Sequence, residues 1–325
     1  MRLTPLGLFG LALALAPTLA PGAAAAQDWP ARPVSMVVPF PAGGNADVIA
    51  RATAQALSEA LGRQFVIENR AGAGGNIGGA AVAKATPDGY TLLFTTPAPV
   101  VLNKYIYKSL PYDPDRDFTP VALVAKSPLI VAARLDFPAR SMPEMIAYAR
   151  QNPGKINVGH PGNGTLGHIT SELIQQFAGV KLTNVPYRGS APLMTDLMAG
   201  QIDVAMDFLP TYVPLADDRR IAALAVTTAA RTAQLPAVPT VQEAGFKGFE
   251  ATAWYALVAP TGTPREVVEK VNRTVNDFLA SEKGRTILER NTMQPGGGTP
   301  DDLKAFMAAE TAKWKPVIEA ARIEM

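Results

Sequence analysis

The stretch NVGHPGNGTLGHIT, residues 157–170, carries a strict G-x-G-x-x-G at Gly162, Gly164 and Gly167. It follows a short apolar run at 155–158 and opens a segment with helical spacing at 168–177, the setting of a dinucleotide-binding loop. The chemistry would be a pyrophosphate held by backbone N–H groups at a helix N-terminus. A dinucleotide also needs a carboxylate about 20 residues further on to hold the ribose hydroxyls. The matching region here reads KLTNVPYRG and contains no acid. The nucleotide reading fails. A loop that offers backbone donors to a smaller anion survives it.

Two more junctions are built the same way. VVPFPAGGNADVIAR runs from a β-branched stretch through Phe40, Gly43 and Gly44 into a helix with Asp47 in its first turn, where the helix dipole favours a carboxylate. VPYRGSAP leads through Tyr187, Gly189 and Ser190 into another helix, with Ser190 expected as its N-cap.

Other chemistries lack their residues. The chain has no Cys, which removes thiol nucleophiles and thiolate metal sites, and its 2 histidines, His160 and His168, are not at a zinc spacing. Neither G-x-S-x-G nor G-x-x-x-x-G-K-[ST] occurs. Asp203 and Asp207 straddle a predicted strand, so they need not share a site as a catalytic pair. The reading is therefore no enzyme, no catalytic residues, no metal and no cofactor.

The elements that must position these loops follow from the periodicity. Strands are expected at 34–38, 65–68, 91–95, 121–125, 129–133, 156–158, 182–185, 202–206, 224–227 and 254–258. Helices are expected at 46–61, 77–84, 142–151, 169–177 and 191–199, so strands and helices alternate and the class is α/β with parallel sheet covered on both faces. Such sheets bind ligands at the carboxyl ends of their strands, where the glycine loops lie. Further on, Thr263-Pro264-Arg265-Glu266 and Thr299-Pro300-Asp301-Asp302 read as helix caps. Phe306, Trp314, Val317, Ile318 and Ala321 recur at helical spacing as an apolar docking face.

The N-terminus sets the compartment. Arg2, an apolar run at 6–16 and Ala24-Ala25-Ala26 have the pattern of a cleaved secretory signal, residues 1–26, with the mature chain starting at Gln27. No later stretch is apolar enough for a transmembrane helix. A formal charge of +2 with interspersed signs gives no basic stripe, so nucleic acid is not an expected partner.

Several segments together resemble the Bug family: WPARPVSMVVPFPAGGNADVIAR, ENRAGAGGNIGGAAVAKATPDGYTLLF, LPYDPDRDFTPVALVA, GNGTLGHIT, VPYRGSAPLMTDLMAGQIDVAMD and LAVTTAARTAQLPAVPTVQEAG. These are periplasmic solute receptors of the tripartite tricarboxylate transporter type, and the likeness runs through the mature chain in matching order. It implies a two-domain periplasmic-binding-protein fold of type II-like build, with two mixed sheets flanked by helices and joined by a two-strand hinge. Residues 27–125 with 250–325 would form the first domain and 126–249 the second. The resemblance also implies a small organic carboxylate, held mostly by loop backbone and hydroxyl groups. Carried over residue by residue, the contacts are Phe40, Gly43, Gly44, Asp47, Thr95, Thr96 and Asn103 from one domain. The facing domain offers Gly162, Gly164, Thr165, His168, Tyr187, Gly189, Ser190 and Asp207. Leu166, Lys104 and Arg188 depart from the family pattern, where a small hydroxyl residue, proline and lysine are usual. The implied partner is a membrane permease of one large and one small subunit, the receptor itself acting as a monomer. A sensor presenting ligand to a membrane kinase, or a periplasmic hydrolase or lyase, are the alternatives.

Overall fold

The computed structural model describes residues 29–324; the expected signal segment and the Gln27 start lie outside the described residues. The strands are β1 Val34–Val38, β2 Phe65–Asn69, β3 Thr91–Thr95, β4 Phe118–Ala133, β5 Asn157–His160, β6 Thr183–Pro186, β7 Val204–Phe208, β8 Ala222–Val226, β9 Thr252–Pro260 and β10 Gln294–Pro295. The helices are α1 Asn45–Leu61, α2 Asn76–Ala83, α3 Asn103–Ile106, α4 Met142–Gln151, α5 Leu166–Ala178, α6 Ser190–Met198, α7 Leu209–Asp217, α8 Arg265–Ala280, α9 Glu282–Arg290 and α10 Pro300–Ala321.

The two mixed sheets that the resemblance implies meet edge to edge in one curled, ten-stranded sheet. Its order is β2-β1-β3-β9-β4-β7-β5-β6, with β8 and β10 also paired to β4. β1 runs parallel to β2 and β3, and β5 runs parallel to β6 and β7, as the alternating pattern requires. β4 does the joining. Residues Phe118 to Pro128 pair antiparallel with β9, and Leu129 to Ala133 pair with β7 and β8. The runs at 121–125 and 129–133 are thus one 16-residue strand, not two. Pro128, which has no N–H for a ladder, stands where β4 leaves β9 for its next partners.

Helix ends follow local chemistry with two corrections. Thr299 and Asp302 form a reciprocal capping box at α10. Thr263 forms none: its hydroxyl donates to the Pro260 carbonyl at 2.8 Å and Pro264 is the N-cap of α8. Ser190 is the first residue of α6, and the N-cap is Gly189. α10 buries Trp314, Val317 and Ile318, the face its spacing predicts. The indole N–H groups of Trp254 on β9 and Trp314 on α10 both donate to the buried Glu310 carboxylate, at 3.0 and 2.9 Å, which fastens α10 to that strand. No described helix is long and apolar enough to cross a membrane.

Candidate ligand-binding site

The loops leaving β1, β5, β6 and β7 at their carboxyl ends open on one cavity of about 560 Å³. Each loop delivers the start of a helix. Gly44, Asn45 and Ala46 come from α1; Asn163, Gly164, Thr165 and Leu166 from α5; Gly189 and Ser190 from α6; Phe208 and Thr211 from α7. No side chain among the described residues caps α1, α6 or α7, so their first-turn N–H groups keep donors for a ligand. A π-helical turn at Ala98–Leu102 running into α3 adds Ala98, Leu102, Asn103 and Ile106. Pi turns often mark functional positions. Ala253 and Tyr255 of β9 complete the wall.

Among the described residues, none that line the cavity is Asp, Glu, Lys, Arg or His. An anion here would be neutralised by helix N-termini and backbone donors, not by a counter-ion. Phe40, Pro41, Leu102, Ile106, Leu166 and Phe208 make much of the remaining surface apolar. Among the described residues no cluster of His, Asp and Glu is placed to hold a metal ion.

Of the expected contacts, Phe40, Gly44, Thr96, Asn103, Gly164, Thr165, Gly189 and Ser190 line this cavity. Gly43, Asp47, Thr95, Gly162, His168, Tyr187 and Asp207 do not, and each is bonded behind it. Asp47 accepts the Gly43 N–H at 2.9 Å, the Arg51 guanidinium at 2.8 and 3.0 Å and the Asn69 amide at 2.8 Å. Arg51 foremost, with Gly43 and Asn69, holds its pKa down to about 2. Asn69 also donates to the Phe40 carbonyl, so Asp47 shapes the 40–44 loop from behind. The Thr95 hydroxyl donates to the Thr96 carbonyl at 3.0 Å, and the Tyr187 hydroxyl to Asp196 at 2.8 Å.

The glycine loop rests on two stacked imidazoles, His160 and His168, with centroids 4.4 Å apart. His160 Nδ1–H donates to the Gly162 carbonyl at 2.9 Å, which the Thr165 hydroxyl also reaches at 2.6 Å. Gly164 N–H donates to His168 Nδ1 at 3.2 Å. Burial above all, with His168 alongside, pushes His160 down to about 4, and burial lowers His168 as well. Both rings are therefore neutral buttresses near pH 7.

Asp207, next to last in β7, is fully buried and has no cation bonded to it among the described residues. Burial raises its pKa to about 6, against the Ser190 hydroxyl, the Phe208 N–H at 2.8 Å and the Tyr212 hydroxyl at 3.3 Å, which favour the ionised form. Asp203 is bonded elsewhere, to Arg134 at 3.1 Å and the Asn157 N–H at 2.9 Å. Of the departures, Leu166 lines the cavity, Lys104 is paired with Asp115 at 2.6 Å and Arg188 is exposed.

Sequence reasoning missed Gly74, Tyr107, Phe208, Thr211, Ala253 and Tyr255 among the lining residues. Asn163 lines the cavity as part of the glycine loop 162–165 that the resemblance carried over, and the Leu209-Pro210 start of α7 was a readable signal for Thr211. Nothing local marked Tyr255.

The family model for the tripartite tricarboxylate transporter family receptor matches residues 49–323. The chain belongs to this family. Among its relatives, this receptor is 35% identical to the protein BugT of Bordetella pertussis, over 96% of each chain. A solved structure described as R. palustris Rpa4515 with adipate is 42% identical, with a TM-score of 0.81 over 92% of this chain and 100% of that one. MatC from Rhodopseudomonas palustris, solved with bound malate, is 33% identical, with a TM-score of 0.76 over 89% of this chain and 100% of that one. The family is one of solute-binding receptors rather than enzymes, and its solved members include carboxylate complexes.

Proposed function

We propose that this chain is an extracytoplasmic solute-binding receptor that encloses a small organic carboxylate and delivers it to a tripartite tricarboxylate-type permease with one large and one small membrane subunit. The observation that carries this reading is the uncharged cavity on which the N-termini of α1, α5, α6 and α7 converge. The adipate and malate of the two solved relatives support a carboxylate as the ligand class. A secretory segment at 1–26 would place the receptor in the periplasm, working as a monomer. Residues 27–125 with 250–325 form the first domain and 126–249 the second in this reading, supported by the change of partners along β4. β4 and β9 would then act as the hinge on which the cleft closes.

Titration calorimetry with C4 to C6 dicarboxylates, citrate and aromatic acids tests the reading, with small-angle scattering on the same samples. At least one acid binds with a dissociation constant of about micromolar order, and the particle contracts on binding. No heat with any acid in the panel would defeat the carboxylate reading; binding without contraction would defeat the hinge.

A further inference from the structure

Half of the hydroxyls that line the cavity are engaged within the protein. Thr165 donates to the Gly162 carbonyl at 2.6 Å and Thr211 to the Phe208 carbonyl at 2.9 Å, while Ser190 serves Asp207. Tyr255 differs. It lines the cavity from β9 yet is only 2% exposed, its ring stacked on Phe94 with centroids 6.1 Å apart. Burial alone perturbs its hydroxyl, which bonds no described residue; it is not one of the fully enclosed unpaired atoms, so it stays open to the cavity. An unpaired polar group in a buried setting is unfavourable unless something else bonds it. The hydroxyl is the only polar atom this side chain can present to the cavity.

Its place in the sheet says what it would meet. β9 lies between β1 and β3 on one side and β4, β7, β5 and β6 on the other. It therefore stands between the strand that feeds α1 and the strands that feed α5, α6 and α7. Ala253, two positions earlier on the same strand, lines the cavity as well. A ligand whose carboxylate sits on the helix N-termini at either side extends over this strand.

We infer that Tyr255 is a specificity-determining residue, its O–H donating to a second oxygen-bearing group of the bound acid. The inference rests on the carboxylate reading above and narrows it to acids that carry such a second group, diacids before monoacids. Burial keeps the phenol protonated through the physiological range, so it acts as a donor. Because Tyr255 pairs with Ala125 of β4, the same contact ties the ligand to the strands that join the two halves of the sheet.

Tyr255→Phe removes one oxygen and keeps the ring on Phe94. Wild type and variant are compared by calorimetry with linear C4 to C6 diacids and the monoacids of equal length, and by melting without ligand. The expected result is a loss of about tenfold or more for diacids, the size of one hydrogen bond to a charged group. Monoacid affinity changes little, and the free variant melts at or above the wild-type temperature because no protein bond is lost. Equal diacid affinity in both proteins overturns the inference, as does an equal loss for diacids and monoacids. A lower melting temperature of the free variant also overturns it, since the hydroxyl would then hold the fold. A wild type that binds none of the acids sinks the carboxylate reading and this inference together.

Discussion

Asp47 and Asp207 are both carboxylates behind helix-starting loops, and their surroundings drive them in opposite directions. Asp47 is held down to about 2 by Arg51 and its neighbours, so its contribution to stability is present above the ordinary 3.8 and fades as the pH falls towards 2. Asp207 is raised to about 6 by burial, so the native protein binds this proton more tightly than the unfolded chain does. Its favourable share is complete below about 3.8 and is lost as the pH rises through about 6. His160, lowered to about 4, opposes it: the unfolded chain takes up this proton first, and stability drops as the pH falls from 6.5 towards 4. Asp207→Asn should therefore stabilise the unliganded protein by about 2–3 kcal/mol at pH 8 and by almost nothing at pH 4. Denaturant melts of both proteins at pH 4, 6 and 8 check this; a difference independent of pH would mean that Asp207 is not the titrating group. The sequence left the role of this residue open because burial, which decides it, is a tertiary property. The four-residue spacing from Asp203 said nothing about partners, and the two prove to have none in common.

Helix N-termini are the working elements of the site, and their glycines do unlike jobs. Gly164 has φ +71, so Gly164→Val would strain the backbone itself and could not report on binding alone; its N–H is also given to His168. Gly167 is a packing residue, because a Cβ there would stand 2.3 Å from the Met206 carbonyl oxygen of β7. Gly44 is the position that can be changed. It is the N-cap of α1, has φ −78, and a Cβ would meet nothing nearer than the Pro41 carbonyl oxygen at 3.6 Å. Gly44→Val should keep the fold, with a cap penalty of about 1 kcal/mol, and should weaken carboxylate binding by roughly tenfold, the loss of one charge-assisted hydrogen bond. Calorimetry beside circular dichroism decides it, and full affinity in a folded variant would remove α1 from the site. These junctions were legible in sequence because a strand, a glycine loop and a helix start are local signals. The contribution of β9 was not. Which face of a strand turns towards a cavity depends on its partners, and those of β9 lie far along the chain in β3 and β4. Ser127-Pro128 likewise reads locally as a break, yet β4 continues through it because both of its halves find partners.

At the scale of the whole molecule, the alternating pattern gives the α/β class directly, while the fusion of all ten strands through β4 depends on pairings that no local signal carries. The family resemblance, not the periodicity, supplied the expectation of a hinge. Glu310 extends the same logic across the chain, as its two indole donors bind the C-terminal helix to the crossover strand β9. Among the described residues, no charged side chain lines the cavity between these parts, and that has a kinetic consequence. No charged side chain in the described pocket wall steers an anion from a distance, so charge on the wall adds nothing to its rate of encounter. Dipoles at buried helix ends are also shielded from dissolved ions far less than surface charges are. Stopped-flow measurements between 20 mM and roughly 500 mM sodium chloride, where the Debye length shrinks severalfold, should find association rate and affinity changed by less than about threefold. A steep fall with added salt would point to a charged contact outside the cavity. With the flat response, capture continues at one pace through dilute and briny surroundings alike.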